Sequence, residues 1–565
     1  MSKDPYHVTD LAEPCDTTSD IKILRLPMRD GVKLQTIIYF PPELKGKRSV
    51  LLLRTPYTRT TEMGYPYAPA LKRGIIFIIQ ACRGTGWSEG VFDPADGEYE
   101  INDACDTLLW LKKQPWYNGR CAMTGGSYPG FVQWCAQMAG EGLLTAVTPH
   151  VAPIYSCIGS SRPGGAASLG FSVNWMLSMH HRRKYGYSGA PDYNAMKTAY
   201  HLPPVEADRS AGYPVLSPFR KFLLTGREPW KNLCRYQEKF KSFTAPAYIT
   251  GGWFDPFISE SVESFLLMKS AAKSAAARQF TRMVIGPWGH AGLLNPDLFG
   301  KTCDYRHINR WRERFIFNQL KAPEKDPLPA EPAVRYYMLC ENKWYASEVW
   351  PPAGTRERRL YLHSGGDANS CSGSGILSEI PPQKELCDVY VSDPAAPVLS
   401  DGGDNISLGC YDRTPQQKRS DVLVYTTQIL TSPLTVAGHI KLAFTAEVST
   451  PDTDFAAVLS WVTPEGKAML LARGMLRARF RNMPQVEMLE PGKKYDFEIC
   501  FSPTAFKIVP GCALRLEISG QHFPAFDRNA NSGKMLFEDT KLFVSRHTVY
   551  HDGEHPAYLT LPCLD

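Results

Sequence analysis

No run of 18 apolar residues occurs in this 565-residue chain, which removes a membrane-spanning helix from consideration. Dense blocks of Lys or Arg are also missing, and the net charge is only +6. The most basic cluster, His180-His-Arg-Arg-Lys184, reads as a solvated helix face, so nucleic acid is not expected as a partner. The fifteen cysteines stand singly, an odd number with no C-x-x-C pair. That argues against a disulfide framework and against a zinc site or other metal centre, and for reduced thiols in the cytoplasm. The opening residues, Met1-Ser-Lys-Asp-Pro-Tyr-His7, lack the apolar core of a secretory signal. No repeat of fixed period and no low-complexity tract appears. What remains is a globular composition, 43% apolar and 21% charged. The length implies roughly two or three domains.

The first third alternates strand and helix signals. Strands are expected at 21–26, 32–40 and 49–54, with Asp30-Gly31 as the turn between the first two. Gly74-Ile-Ile-Phe-Ile-Ile-Gln80 is apolar almost throughout, as a strand buried on both faces of a parallel sheet must be. Residues 99–113 show helical spacing, with acids early and Lys112-Lys113 late, as the helix dipole prefers. This β–α–β order predicts an α/β fold with a mainly parallel sheet. Residues 151–243 lose the strand pattern and read as a mostly helical insertion. Strands return at 247–250 and 282–285. From about residue 353 onward short strands alternate with Gly, Pro, Asn and Asp, which predicts a β-sandwich or jelly roll.

Between a strand at 120–123 and a helix at 131–139 lies Thr124-Gly-Gly-Ser-Tyr-Pro-Gly130. A serine among small residues at a strand-to-helix turn has the layout of a nucleophile elbow, although Pro129 stands where G-x-S-x-G has its second glycine. Ser127 is therefore the candidate nucleophile. A base and an acid should follow in the order Ser, Asp, His, each at a later strand end. Asp255 directly follows the strand at 247–250, and His290 follows the one at 282–285. Asp103, Asp106, Asp304 and His307 rank lower because none directly follows a buried strand. The oxyanion hole needs two donors. The Tyr128 backbone N–H is one candidate, and Tyr57, in the loop after the strand at 49–54, is the other.

These residues lie in motifs that resemble the cocaine esterase and X-prolyl dipeptidyl peptidase group of serine hydrolases. The resemblance rests on Arg54-Thr-Pro-Tyr57, Arg83-Gly-Thr-Gly-Trp-Ser-Glu-Gly90, Gly125-Gly-Ser-Tyr-Pro-Gly130, Gly252-Trp-Phe-Asp255, Gly286-Pro-Trp-Gly-His290, Leu360-Tyr-Leu-His-Ser-Gly-Gly366 and Phe523-Pro-Ala-Phe-Asp-Arg-Asn529. It implies an α/β-hydrolase core from 1–150 and 244–352, a helical cap at 151–243 and a jelly roll at 353–565. It also implies Ser127, His290 and Asp255 as the triad, with the Tyr57 hydroxyl completing the oxyanion hole, and no cofactor. Trp175, Trp253, Phe257 and Trp288 are expected to line the pocket. Relatives that act on α-amino acid esters carry extra carboxylates for the substrate ammonium. Here Phe257 and Ile258 stand in two of those positions, and the cap segment Ser160-Ser-Arg-Pro-Gly-Gly165 lacks the third. A small-molecule ester with a neutral, bulky or aromatic acyl group is therefore favoured. The sequence leaves open an amidase or peptidase, an acyltransferase, an inactive scaffold with a sugar-binding jelly roll, and assembly into homo-oligomers.

Overall fold

The computed structural model describes residues 9–10, 21–42, 46–57, 68–94, 97–154, 163–185, 195–212, 217–225, 236–290, 292–293, 295–300, 303, 306–403 and 409–564. Apart from two two-residue strands, Thr9–Asp10 and Gly292–Leu293, the strands of the first sheet are β1 (Ile21–Pro27), β2 (Lys33–Tyr39), β3 (Arg48–Thr55), β4 (Ile76–Ala81), β5 (Tyr117–Gly126), β6 (Ala146–His150), β7 (Tyr248–Phe254), β8 (Arg282–Gly289), β9 (Val334–Met338) and β10 (Lys343–Ser347). Their spatial order is β1-β2-β4-β3-β5-β6-β7-β8-β9-β10. From β4 to β9 every pairing is parallel. Along this order the antiparallel pairs lie at the two ends, and a two-residue strand, Gly292–Leu293, adds one more against β8.

The continuous apolar runs follow from this layering. In β3 and β4, Val50, Leu52, Ile76 and Ile78 face helices α1 (Gly97–Lys112) and α2 (Tyr128–Met138), packing with Leu108, Leu111, Phe131 and Val132. The alternate residues Leu51, Leu53, Phe77 and Ile79 face the other way. They pack on Phe315, Ile316 and Leu320 of a helix at Arg306–Lys321. With helices on both faces no polar face is needed, and each fully buried aliphatic side chain contributes about 1.5–3 kcal/mol.

A second set of strands runs from Arg356 to Cys563, nearly all antiparallel, as in the long hairpin of Asp454–Val462 with Ala468–Arg477. A short parallel bridge ties it to the first sheet, where Leu339 N–H donates to the Ala505 carbonyl and Lys507 N–H to the Leu339 carbonyl, both at 2.9 Å. Between β6 and β7 the described residues form helices, among them α3 (Leu169–Tyr185), and no strand. Leu169, Val173 and Leu177 of α3 pack against Phe480, Phe523 and Phe537 of the β-rich part. The sequence motif at 523–529 finds its use here. Ala167 N–H donates to Asp527 Oδ1 at 2.7 Å, and the Arg528 guanidinium donates to the Tyr200 carbonyl at 2.7 Å. The motif therefore seats the helical segment.

Candidate active site

The parallel strands all point their carboxyl ends to one edge, where α/β sites lie. β3 leads to Tyr57, β5 to Ser127, β6 ends at His150, β7 leads to Asp255 and β8 to His290. Ser127 holds φ 62 and ψ −129, a left-handed conformation that projects its side chain from the turn. Close packing enforces this. A Cβ on Gly125 would stand 2.5 Å from Pro129 Cβ, and one on Gly126 would stand 2.8 Å from the His150 ring. The Ser127 N–H donates to the His150 carbonyl at 2.8 Å, locking the turn to the next strand. Pro129 is tolerated because it sits in the first turn of α2, where a missing N–H costs nothing. At Gly130, one place later than the usual motif, a Cβ would run into residue 152.

His290 joins the other two residues. Its Nε2 lies 2.9 Å from Ser127 Oγ and its Nδ1 lies 2.7 Å from Asp255 Oδ2. Asp255 is fully buried, and its Oδ1 accepts the Phe257 N–H at 2.8 Å. An ionised carboxylate accepts only, so it makes Nδ1 the protonated nitrogen and leaves Nε2 to accept the serine proton. Asp103 and Asp106 are held elsewhere, by Arg83 and Arg29 respectively. Asp304 lies outside the described residues, as do the His307 side chain and Ser160–Arg162.

Tyr128 follows the serine at the start of α2, and Trp175 links it to Tyr57. The Trp175 indole of α3 donates to the Tyr57 hydroxyl at 3.2 Å and stacks on the Tyr128 ring, centroids 5.8 Å apart. Phe257 meets the His290 ring edge-on at 5.4 Å. Two expected wall residues are placed differently. The Trp253 and Trp288 indoles are buried beneath the site, donating to the Tyr337 and Cys303 carbonyls at 2.7 and 2.8 Å and packing on Trp350 and Trp344. Each precedes its site residue by two positions, so each sits one pleat below the sheet edge, inside the sandwich of sheet and helices.

Three participants escape the sequence reading. Phe171 lies 5.8 Å from the His290 ring and 5.7 Å from Phe257. It is one helical turn before Trp175, an i, i+4 signal that was available. Glu100 accepts the Tyr128 hydroxyl at 3.0 Å. His150 contributes its carbonyl to the elbow, and its Nδ1 lies 2.6 Å from Thr250 Oγ1. Burial, with Arg312 and His290 nearby, holds the His150 ring well below the usual histidine range, hence neutral. Among the described residues no group of three or more His, Cys, Asp or Glu is arranged to hold a metal, and no helix is long and apolar enough to cross a membrane.

The family model for X-Pro dipeptidyl-peptidase (S15 family) matches residues 30–292, and that for the X-Pro dipeptidyl-peptidase C-terminal non-catalytic domain matches residues 329–560. The cocaine esterase of Rhodococcus sp. (strain MB1 Bresler) is 31% identical over 580 residues, covering 95% of this chain and 97% of that one. The chain belongs to the S15 family. It is a serine hydrolase, and the recognised motifs extend through both matched segments. Two solved structures share the whole architecture. An aminopeptidase from a marine sediment Thaumarchaeota archaeon superimposes with a TM-score of 0.79 at 24% identity, covering 99% of both chains. An α-amino acid ester hydrolase does so with a TM-score of 0.78 at 22% identity, covering 98% of both. At those identities they speak for the fold: an α/β-hydrolase core followed by a β-rich C-terminal part.

Proposed function

We propose that the protein hydrolyses carboxylic esters through an acyl-enzyme on Ser127, with His290 as general base and acid and Asp255 as its orienting partner. The observation that carries this reading is the placement of one imidazole within hydrogen-bond reach of both the serine oxygen and a buried carboxylate. In the first half-reaction Ser127 Oγ attacks the ester carbonyl while His290 Nε2 takes its proton. The negative charge that develops on the carbonyl oxygen is received by the Tyr128 N–H and the Tyr57 hydroxyl. Collapse of the tetrahedral intermediate breaks the ester C–O bond, and the departing alkoxide takes from His290 the proton that came from Ser127, leaving as the alcohol. Water then repeats the sequence in reverse and frees the acid.

The parts divide the work along the chain. Residues 1–150 and 244–352 form the hydrolase core, 151–243 a cap and 353–565 a jelly roll. The cap closes the site with Phe171 and Trp175, and Phe257 closes it from the core. These are aromatic walls, and Phe257 and Ile258, two and three places after Asp255, offer no charge. An ammonium buried there without a partner is costly, which favours a neutral, bulky or aromatic acyl group over an amino acid ester. The scattered cysteines support a cytoplasmic setting.

A fluorophosphonate probe is expected to label Ser127, and Ser127→Ala is expected to abolish both labelling and aryl-ester turnover. Turnover retained in that variant overturns the reading. Comparing kcat/KM for an ester and amide of one acyl group separates an esterase from an amidase.

A further inference from the structure

The two proposed oxyanion donors follow different strands, β5 and β3, and a single carboxylate is bonded to Tyr128 and paired with Arg54 of β3. Glu100 sits in the first turn of α1, almost wholly buried. Its Oε1 accepts the Tyr128 hydroxyl at 3.0 Å. Its Oε2 stands 2.9 Å from Arg54 Nη2, and its backbone carbonyl accepts Arg54 Nη1–H at 2.9 Å. Arg54 is itself fully buried near the end of β3, three residues before Tyr57. Gln80 Oε1 accepts its Nε–H at 2.8 Å, so Nε and Nη1 are hydrogen-bonded and Nη2 is held by the ion pair with Glu100.

We propose that Glu100 is a positioning residue that ties the Tyr128 and Tyr57 halves of the oxyanion hole together through one buried carboxylate. The inference rests on the ester-hydrolase reading above. Tyr128 is the residue after the nucleophile, and its main-chain N–H is the donor assigned to the oxyanion hole. The far end of its side chain is anchored on Glu100, while the Trp175 ring covers its face. The same carboxylate, through Arg54, anchors the strand end from which Tyr57 springs. A displaced Glu100 therefore loosens both donors together. Stability alone does not account for this arrangement, because a buried ion pair is often no better for folding than apolar residues of the same volume. A donor aimed at developing charge must be held in place before the reaction. Burial works against the Arg54 charge, but the carboxylates of Glu100 and Asp103 outweigh it and keep the guanidinium ionised.

The test uses Glu100→Gln and Tyr128→Phe, each in the full-length chain. Gln keeps the size but loses the ion pair, whereas Phe keeps the stacked ring and main-chain N–H but loses the hydroxyl. Both are expected to lower kcat, Glu100→Gln by about 10- to 100-fold, with KM within about threefold, as for a contact that matters only in the transition state. Affinity for an arylboronic acid, whose serine adduct is tetrahedral and anionic, should fall by the same factor. The double variant should be no slower than the worse single one. A lowered melting temperature with kcat within twofold in both variants reduces the network to a structural role and overturns the proposal. If Glu100→Gln does not fold, Tyr128→Phe decides by the same criterion. Ester turnover surviving Ser127→Ala would instead remove the reading beneath it, a result that kcat of the Glu100 variant cannot mimic.

Discussion

The Trp175 indole N–H points at the Tyr57 hydroxyl oxygen, 3.2 Å away, so the helical segment reaches across the site and donates to the residue proposed to hold the oxyanion. A hydroxyl that accepts one bond directs its own proton elsewhere, and accepting also strengthens it as a donor. Trp175→Phe keeps a ring on Tyr128 and loses this bond. It is expected to lower kcat about three- to tenfold with little change in KM, against the roughly 100- to 1,000-fold typical of losing a whole donor, as in Tyr57→Phe. Steady-state kinetics of the two single variants and the double variant check this. If Trp175→Phe slows Tyr57→Phe by a further factor of the same size, the indole acts by another route.

Asp255 Oδ2 lies 2.7 Å from His290 Nδ1, and Asp255 Oδ1 accepts a main-chain N–H. Asn in this place can keep the second contact and present an amide N–H to the ring, which favours the tautomer with its proton on Nε2. That nitrogen can then no longer accept from Ser127. Asp255→Asn is expected to fold with a similar melting temperature and to lose about 10³- to 10⁴-fold in kcat, by analogy with the serine protease triad. Single-turnover measurements of acylation check it, and a loss below tenfold would contradict the assigned role.

Ser127, Asp255 and His290 are legible in the sequence because each follows an apolar run that must be a buried strand, and strand ends converge. Trp253 and Trp288 mislead for the same reason. They belong to those strands, and a shift of two residues moves a side chain from the sheet edge into the packed layer. Glu100 and Arg54 are invisible for a different cause. An acid in the first turn of a helix has a sufficient explanation in the helix dipole, and an arginine at a strand end has one in solvent. Only the approach of α1 to β3, which no local pattern encodes, turns them into a buried pair. The strand order β4-β3-β5 is equally hidden, since neighbours in that sheet are set by long-range packing.

Gly130 is needed for room. A Cβ there would stand 2.4 Å from Ala152 Cβ and 3.4 Å from the Gly125 carbonyl oxygen. Gly130→Ala is therefore expected to cost about 1–3 kcal/mol as overpacking, and to slow turnover because α2 carries the Tyr128 N–H. Adding Ala152→Gly removes the obstructing methyl and should recover most of both losses. Denaturant midpoints and kcat of the single and double variants decide it. A double variant no better than the single one would place the strain elsewhere.

Far from the site, His547 is wholly enclosed in the β-rich part, its Nδ1 2.7 Å from the Tyr390 hydroxyl and its Nε2 2.9 Å from Thr453 Oγ1. Burial pushes its pKa down to about 3. The unfolded chain, with a histidine near 6.5, binds that proton first. The neutral ring therefore contributes its full stability above about pH 6.5. That contribution is lost as the pH falls toward 3, at up to about 1.4 kcal/mol per pH unit. His547→Gln offers an amide that does not titrate. It should be less stable than the wild type at pH 7, where the ring's two hydrogen bonds are intact, yet lose less stability between pH 6.5 and 4.5. Urea unfolding at both pH values measures the difference in slope, one proton at most. Parallel slopes for the two proteins would mean that His547 is protonated in the fold, and that its two hydroxyl neighbours accept hydrogen bonds from it.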